Sequence, residues 1–310
     1  MLHVLAYRHA RAMLHYASGG TRTAPPETLS LLAKSRVLLA GVQIPRPEDN
    51  RPPTALAPDA RSVGILVSGG VALCAWVADR GPGAPLVILF HGYSTEKNRL
   101  LLEAREWHAL GASILLVDFR GSGQSSESIT TLGWLEAEDV VAAVQYAQAR
   151  IPHSRLILYG QSMGSAAILR AVSAHGVAPD AVVLESVFDT MLNAIRARFR
   201  AMRLPVFPSA NLLAFWGGHQ FGFNAFAHNP VDYAVSLRCP ALFLHGSDDP
   251  RAPVDQARRV FENVPGNRKT FVTFDGVGHA SYAAAHPVEW NTAVTEFLGL
   301  PAADPQGDSP

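Results

Sequence analysis

Six short, nearly continuous apolar runs most constrain what this chain can fold into: Leu86–Phe90, Ile114–Val117, Leu156–Leu158, Ala181–Leu184, Ala241–Leu244 and Thr270–Phe274. Runs of this kind suit strands buried on both faces, as in a parallel sheet covered by helices. Helical stretches separate them, near Lys97–Leu110, Leu135–Ala149, Met163–Ala174, Val254–Asn263 and Val288–Leu298. Ahead of them, SVGILVS, the pair Gly69-Gly70 and VALCAWVA read as a β-hairpin. An antiparallel start followed by strand–helix alternation predicts an α/β fold: a mostly parallel central sheet with helices on both faces.

The alternation breaks once, between Phe188 and Asp232, where the chain is rich in phenylalanine and carries Trp216. This stretch predicts a small helical cap insertion over 189–232, dividing a core made of 61–188 and 233–300. Residues 1–18 have a weak helical pattern. Prolines 25, 26, 45, 47, 52, 53 and 58 then forbid long helices, leaving room for a short one between Glu27 and Ala40. Residues 1–60 thus read as an N-terminal arm wrapping the core, and 301–310 as a flexible tail.

Composition excludes several function classes. The chain is 48% hydrophobic, too apolar for a disordered protein. Lys+Arg and Asp+Glu each number 26, so there is no excess positive charge for a non-specific grip on nucleic acid. The most apolar stretch, Leu29–Val42, is broken by Lys34 and Arg36 and falls short of the roughly 18 residues of a membrane span. The first residues lack the pattern of a signal peptide. A soluble, cytoplasmic protein is expected, with peripheral membrane contact left open. Cys74 and Cys239 read as small buried core residues in strands. No CxxC or HExxH occurs, so neither a metal nor a cofactor is expected.

The chemistry concentrates in three places. Gly160-Gln161-Ser162-Met163-Gly164 matches G-x-S-x-G, with the run RLILY leading in and a helix following. That strand–turn–helix setting is what a nucleophile elbow requires: a strained serine, small flanking residues, and a helix N-terminus that favours developing negative charge. A serine hydroxyl needs a neighbouring base. His279, in a glycine-flanked loop after the strand ending at Phe274, is the candidate. An acid must orient the imidazole, and ALFLHGSDDP offers two, Asp248 and Asp249, between which chemistry alone does not choose. The oxyanion of acyl transfer needs preorganised donors. The backbone amides of Met163 and of Tyr93, after a backbone twist at Gly92, are the candidates. His91 and His245 end strands and read as loop-shaping, while His219 and His228 read as surface residues of the insertion.

Together, His91-Gly92-Tyr93, Asp118-Phe119-Arg120-Gly121-Ser122-Gly123, Gly160–Gly164, His245-Gly246-Ser247-Asp248-Asp249 and Gly278-His279 resemble the α/β-hydrolase superfamily, over about Ser62 to Leu298. The DxRGxG stretch resembles its serine aminopeptidase-like and Bem46-like branch. The resemblance implies Asp249 as the acid, loop-shaping roles for Asp118 and Arg120, and a cap at the insertion. It also implies hydrolysis of an ester, thioester or amide through an acyl-enzyme. Many relatives of that branch carry an N-terminal membrane anchor. This chain reads without one, so it is expected to be membrane-associated only if its true start lies upstream.

Within Thr190–Arg203, Leu192, Ile195, Phe199 and Met202 fall on one helical face and Arg196, Arg200 and Arg203 on the other. The apolar face, with Phe199, Phe215, Trp216 and Phe221, is expected to line a substrate pocket. The leading reading is a carboxylesterase or lysophospholipase-like enzyme acting on small-molecule or lipid-like esters. A serine peptidase is the alternative, disfavoured because Thr190–Val231 has no Asp or Glu to bind a substrate amine. A cofactor-free perhydrolase or haloperoxidase, and a non-catalytic binding protein of the same fold, complete the alternatives.

Overall fold

A computed structural model describes residues 1–24, 29–48 and 50–299. Pro25-Pro26, the helix start expected at Glu27 and the tail 301–310 lie outside the described residues. The hairpin forms as expected: β1 (Arg61–Leu66) pairs antiparallel with β2 (Ala72–Ala78). Every apolar run becomes a strand: β3 (Pro85–Phe90), β4 (Ser113–Val117), β5 (Arg155–Gln161), β6 (Ala181–Glu185), β7 (Ala241–Gly246) and β8 (Lys269–Phe274). The eight strands lie in the order β1-β2-β4-β3-β5-β6-β7-β8, with β2 antiparallel to both neighbours and β3 to β8 parallel.

The apolar runs serve two cores at once. Along β3, Leu86, Ile88 and Phe90 enter one cluster and Val87 and Leu89 the other; β6 splits likewise, with Val182 and Leu184 against Ala181 and Val183. Successive side chains point to opposite faces, so a strand buried on both sides must be apolar throughout. Helices α4 (Glu136–Arg150), α5 (Met163–His175) and α9 (Val254–Asn263) cover one face, and α3 (Leu101–Ala109) and α11 (Pro287–Leu298) the other.

Between β6 and β7 the chain forms α6 (Met191–Ala201), α7 (Ser209–Gln220) and the short α8 (Pro230–Tyr233). The first sixty residues depart from a simple wrapping arm. Leu56 and Ala57 do bury against the α3 side, and α2 (Leu31–Ala40) is capped by the Ser30 hydroxyl. But α1 (Leu2–Leu14) packs on α7. Trp216 of α7 takes the edges of Tyr7 and His3. The two cysteines also differ from expectation. Both are half-buried rather than core, and Cys239 precedes β7 instead of lying in it. Among the described residues no helix is long and apolar enough to cross a membrane.

Candidate active site

Ligands in open parallel sheets bind beyond the carboxyl ends of the strands, where the strand order reverses. Here that point is β3, flanked by β4 and β5. Phe90 and Gly160 are register partners across β3 and β5. The loop after β3 and the turn after β5 therefore emerge side by side.

Ser162 sits on that turn with φ 54 and ψ −108, a conformation rare for a non-glycine residue. The flanking glycines have a steric reason. A Cβ on Gly164 would lie 2.2 Å from the Phe90 carbonyl oxygen, so only glycine lets α5 press its first turn against β3. The Ser162 N–H donates to the Glu185 carbonyl at 2.7 Å, tying the turn to β6. Met163, as the first helical residue, has no partner one turn back for its N–H. Neither its amide nor that of Tyr93 donates a hydrogen bond among the described contacts.

The loop carrying Tyr93 is held by His91. Its Nε2 accepts the Phe119 N–H at 3.1 Å, which leaves Nδ1–H to donate to the Gly92 carbonyl at 2.8 Å. Burial lowers the His91 pKa, which suits a neutral, structural ring. The twist expected at Gly92 occurs instead at Ser94, at φ 55. Asp118 and Arg120 shape loops, as expected. Asp118 is ion-paired to the fully buried Lys97 at 2.7 Å, and Arg120 to Asp139 at 2.6 Å.

At the far strands, Gly246 and Phe274 end β7 and β8 in register. A side chain on Gly246 would meet the Val277 carbonyl oxygen at 2.2 Å, so its absence lets the loop after β8 lie on the loop after β7. His279 Nδ1 comes within 2.6 Å of Asp249 Oδ2. The other carboxylate oxygen accepts the Arg251 and Ala252 N–H groups at 2.8 and 3.0 Å. Burial pushes the Asp249 carboxyl up, but the hydrogen bond and charge of His279, with the Ala252 N–H, hold it below the usual aspartate value. Asp248 is exposed and accepts from the Ser247 hydroxyl instead. Ser162 and His279 face one cavity with Tyr93 and Met163. No hydrogen bond joins the two among the described contacts, a looseness common in ligand-free sites.

Comparisons with known proteins bear on the fold and the family. The family model described as serine aminopeptidase, S33, matches residues 82–213, a span holding the Tyr93 loop and the Ser162 turn but not Asp249 or His279. The esterase PF2001 of Pyrococcus furiosus superposes with a TM-score of 0.69 at 22% identity, covering 84% of this chain and 97% of that one. The chain has the α/β-hydrolase fold. Among curated relatives, the uncharacterized protein YqkD of Bacillus subtilis is 27% identical over 215 residues, covering 68% of this chain and 70% of that one. The lysophosphatidylserine lipase ABHD12 of Danio rerio is 24% identical over 235 residues, covering 70% of this chain but only 59% of its own length.

The cavity wall corrects the expected pocket. Phe199, Phe215, Trp216 and Phe221 do not line it. Trp216 packs on α1, Phe221 stacks on His15, Phe215 is 47% exposed, and Phe199 is half-buried on α6 away from the cavity. The wall comes instead from Met191, Ala194 and Ile195 of α6, Leu213 of α7, Met13 and Leu14 of α1, and Phe223. On α6 the buried face is thus rotated from the expected stripe. His228 is also not a surface residue: it is fully buried, its Nε2 lies 3.0 Å from the Leu132 carbonyl, and burial lowers its pKa to about 4. Thr131 and Leu132, unforeseen, reach the cavity because the buried Glu136 carboxylate gathers the Thr130 and Thr131 hydroxyls and the Thr131 and Gly133 N–H groups.

Proposed function

We propose that this α/β hydrolase is a serine esterase that cleaves carboxylic esters of single-chain, lipid-like substrates through an acyl-enzyme. The observation that carries the reading is the Asp249–His279 pair opening, with Ser162, onto one predominantly apolar cavity. In this reading the Ser162 oxygen attacks the ester carbonyl carbon while His279 takes its proton. Asp249 orients the ring and offsets the imidazolium charge. The Tyr93 and Met163 N–H groups receive the oxyanion, each donor contributing about 2.7–4 kcal/mol of transition-state stabilisation. The proton then passes to the leaving alcohol, and water repeats the sequence on the acyl-serine.

Helices α6, α7 and α8 act as a cap, with α1 as an added roof element. The aliphatic side chains of α1, α6 and α7 suit an acyl chain. The named activity of the Danio rerio relative, a lysophosphatidylserine lipase, supports a lipid-like ester. The matching family is described as an aminopeptidase, but no Asp or Glu is among the described residues lining the cavity to receive a substrate amine.

The test is labelling with a fluorophosphonate, followed by turnover of p-nitrophenyl esters and aminoacyl amides. Ser162→Ala is expected to abolish labelling and to cut ester turnover by about 10³-fold or more, with an unchanged circular dichroism spectrum. Undiminished turnover in that variant overturns the nucleophile, and faster amide than ester cleavage by the wild type favours the peptidase.

A further inference from the structure

Tyr93 lies between two peptide units, and both are pinned. The unit before it carries the Tyr93 N–H on one side and the Gly92 carbonyl on the other. That carbonyl accepts from His91 Nδ1 at 2.8 Å and from the Thr95 hydroxyl at 2.9 Å, so the N–H points the opposite way. The unit after it ends in the Ser94 N–H, which donates to the Tyr16 hydroxyl at 3.2 Å across 78 residues of chain. Ser94 itself has φ 55, a left-handed conformation that a non-glycine residue keeps where its surroundings hold it. Its carbonyl accepts from Arg22 Nη1 at 3.2 Å. The loop that carries the Tyr93 amide is thus fastened by the N-terminal segment as well as by its own neighbours.

Tyr16 is itself firmly seated. Its side chain is buried, and its N–H donates to the Ser128 carbonyl at 2.7 Å, which docks the segment on the loop ahead of α4. Burial, with the nearby Tyr93 and Glu136, pushes its pKa well above the ordinary tyrosine value, so the hydroxyl keeps its proton. That proton has an acceptor. Thr130 is hydrogen-bonded to Tyr16 and gives its own hydroxyl proton to Glu136 Oε1 at 2.7 Å. Tyr16 therefore donates to Thr130 and turns a lone pair toward the Ser94 N–H. A phenylalanine would fill the same space and leave that N–H without its acceptor.

We propose that Tyr16 is a positioning residue for the reaction: its hydroxyl holds the Ser94 N–H, and with it the backbone turn that aims the Tyr93 amide at the developing oxyanion. The proposal rests on the ester-hydrolase reading and adds to it a residue from outside the sheet. A donor stabilises the oxyanion well when it is already aimed before the bond forms. Without Tyr16, the peptide unit between Tyr93 and Ser94 is free to rotate, Ser94 relaxes from its left-handed conformation, and the Tyr93 amide loses its aim. The wall that receives the substrate is unchanged, because Tyr16 does not line the cavity. The effect therefore falls on the tetrahedral species and spares binding of the uncharged ground state.

The test uses Tyr16→Phe in the full chain and two inhibitors with the same alkyl chain, a trifluoromethyl ketone and the carbinol obtained by reducing it. Ser162 Oγ adds to the ketone carbon, its proton passes to His279, and the carbonyl π pair becomes an oxyanion facing the Tyr93 and Met163 amides. The carbinol rests on the same wall without forming that charge. The wild type is expected to bind the ketone more tightly than the carbinol. Tyr16→Phe is expected to weaken the ketone by about tenfold or more, to leave the carbinol unchanged, and to lower kcat/KM for a p-nitrophenyl ester by the same factor as the ketone. A merely structural role would weaken both inhibitors together. Should Tyr16→Phe fail to fold, Arg22→Gln, which removes the exposed partner of the Ser94 carbonyl, carries the same comparison. A ketone-to-carbinol ratio equal to that of the wild type, whether the affinities hold or fall together, overturns the positioning role and leaves the esterase reading standing. A wild type that turns over no ester and binds the ketone no better than the carbinol overturns both.

Discussion

At the carboxyl edge of the sheet, positions follow from register: Phe90 stands beside Gly160, and Gly246 beside Phe274. Over the cavity, α1, α6 and α7 meet through side chains, with no ladder to hold them in step. The edge is dense with buried ionisable side chains, including Lys97, Asp118, Glu136, Glu185 and Asp249. The roof carries exposed apolar groups, with Leu2 54%, Phe207 78% and Phe215 47% accessible. Between the two runs a seam of polar contacts: the Tyr93 hydroxyl donates to the Met13 carbonyl at 2.7 Å, and the Thr130 N–H to the Leu14 carbonyl at 2.9 Å. Backbone ladders hold the loops that follow these strands side by side. Side-chain packing between helices suits a wall that has to fit a substrate.

If the edge carries the chemistry and the roof the fit, substitutions in the two regions should separate. The largest effect is expected at the edge. Asp249→Asn should lower the turnover of a p-nitrophenyl ester on the order of 10⁴-fold, since the imidazole loses its orienting charge, while Asp248→Asn should stay near wild type. Similar losses in both would move the acid elsewhere.

A smaller, selective effect is expected in the roof. Ile195→Trp narrows the acyl side of the cavity. It should reduce kcat/KM for a decanoate ester on the order of tenfold or more relative to an acetate ester. A chain-length profile identical to wild type would separate the roof from the acyl site.

The smallest effect is a pH dependence of stability beneath the edge. Glu185 accepts hydrogen bonds from the Tyr159 hydroxyl and from Gln161 Nε2, and burial followed by the nearby Glu103 raises its pKa to about 8. The folded chain thus keeps a proton that the unfolded chain releases, and this contribution falls as pH rises from about 4.5 to about 8. Relative to wild type, Glu185→Gln should gain stability across that window, a shift of a few degrees in Tm by differential scanning calorimetry. A Tm difference independent of pH would mean that Glu185 is ionised in the fold.

Much of the edge was legible in the sequence because short-range physics governs it. Unbroken apolar runs mark strands buried on both faces, and G-x-S-x-G after such a run marks a turn whose sterics admit little else. His279 and the pair Asp248 and Asp249 could be found because they follow the last two strands, and the family resemblance pointed to Asp249. The roof was not legible. Phe199, Phe215, Trp216 and Phe221 looked like a pocket because aromatic side chains suit one, yet three of them pack on the N-terminal segment or face solvent. The face that α6 turns inward depends on α1, α7 and the Glu136-bound loop together. Arg198 falls at the next helical step after Met191, Ala194 and Ile195, a face displaced from the more apolar one.

By itself, the sequence determined the doubly covered sheet, the order of its strands along the chain, and three candidate side chains at their ends. These depend on periodicity and on steric limits within a few residues. Only the tertiary structure decided that the first helix joins the cavity, that Arg198 and Arg251 share its wall, and which helical faces line it. Such contacts unite segments far apart in the chain, and their energies depend on all the partners being in place at once.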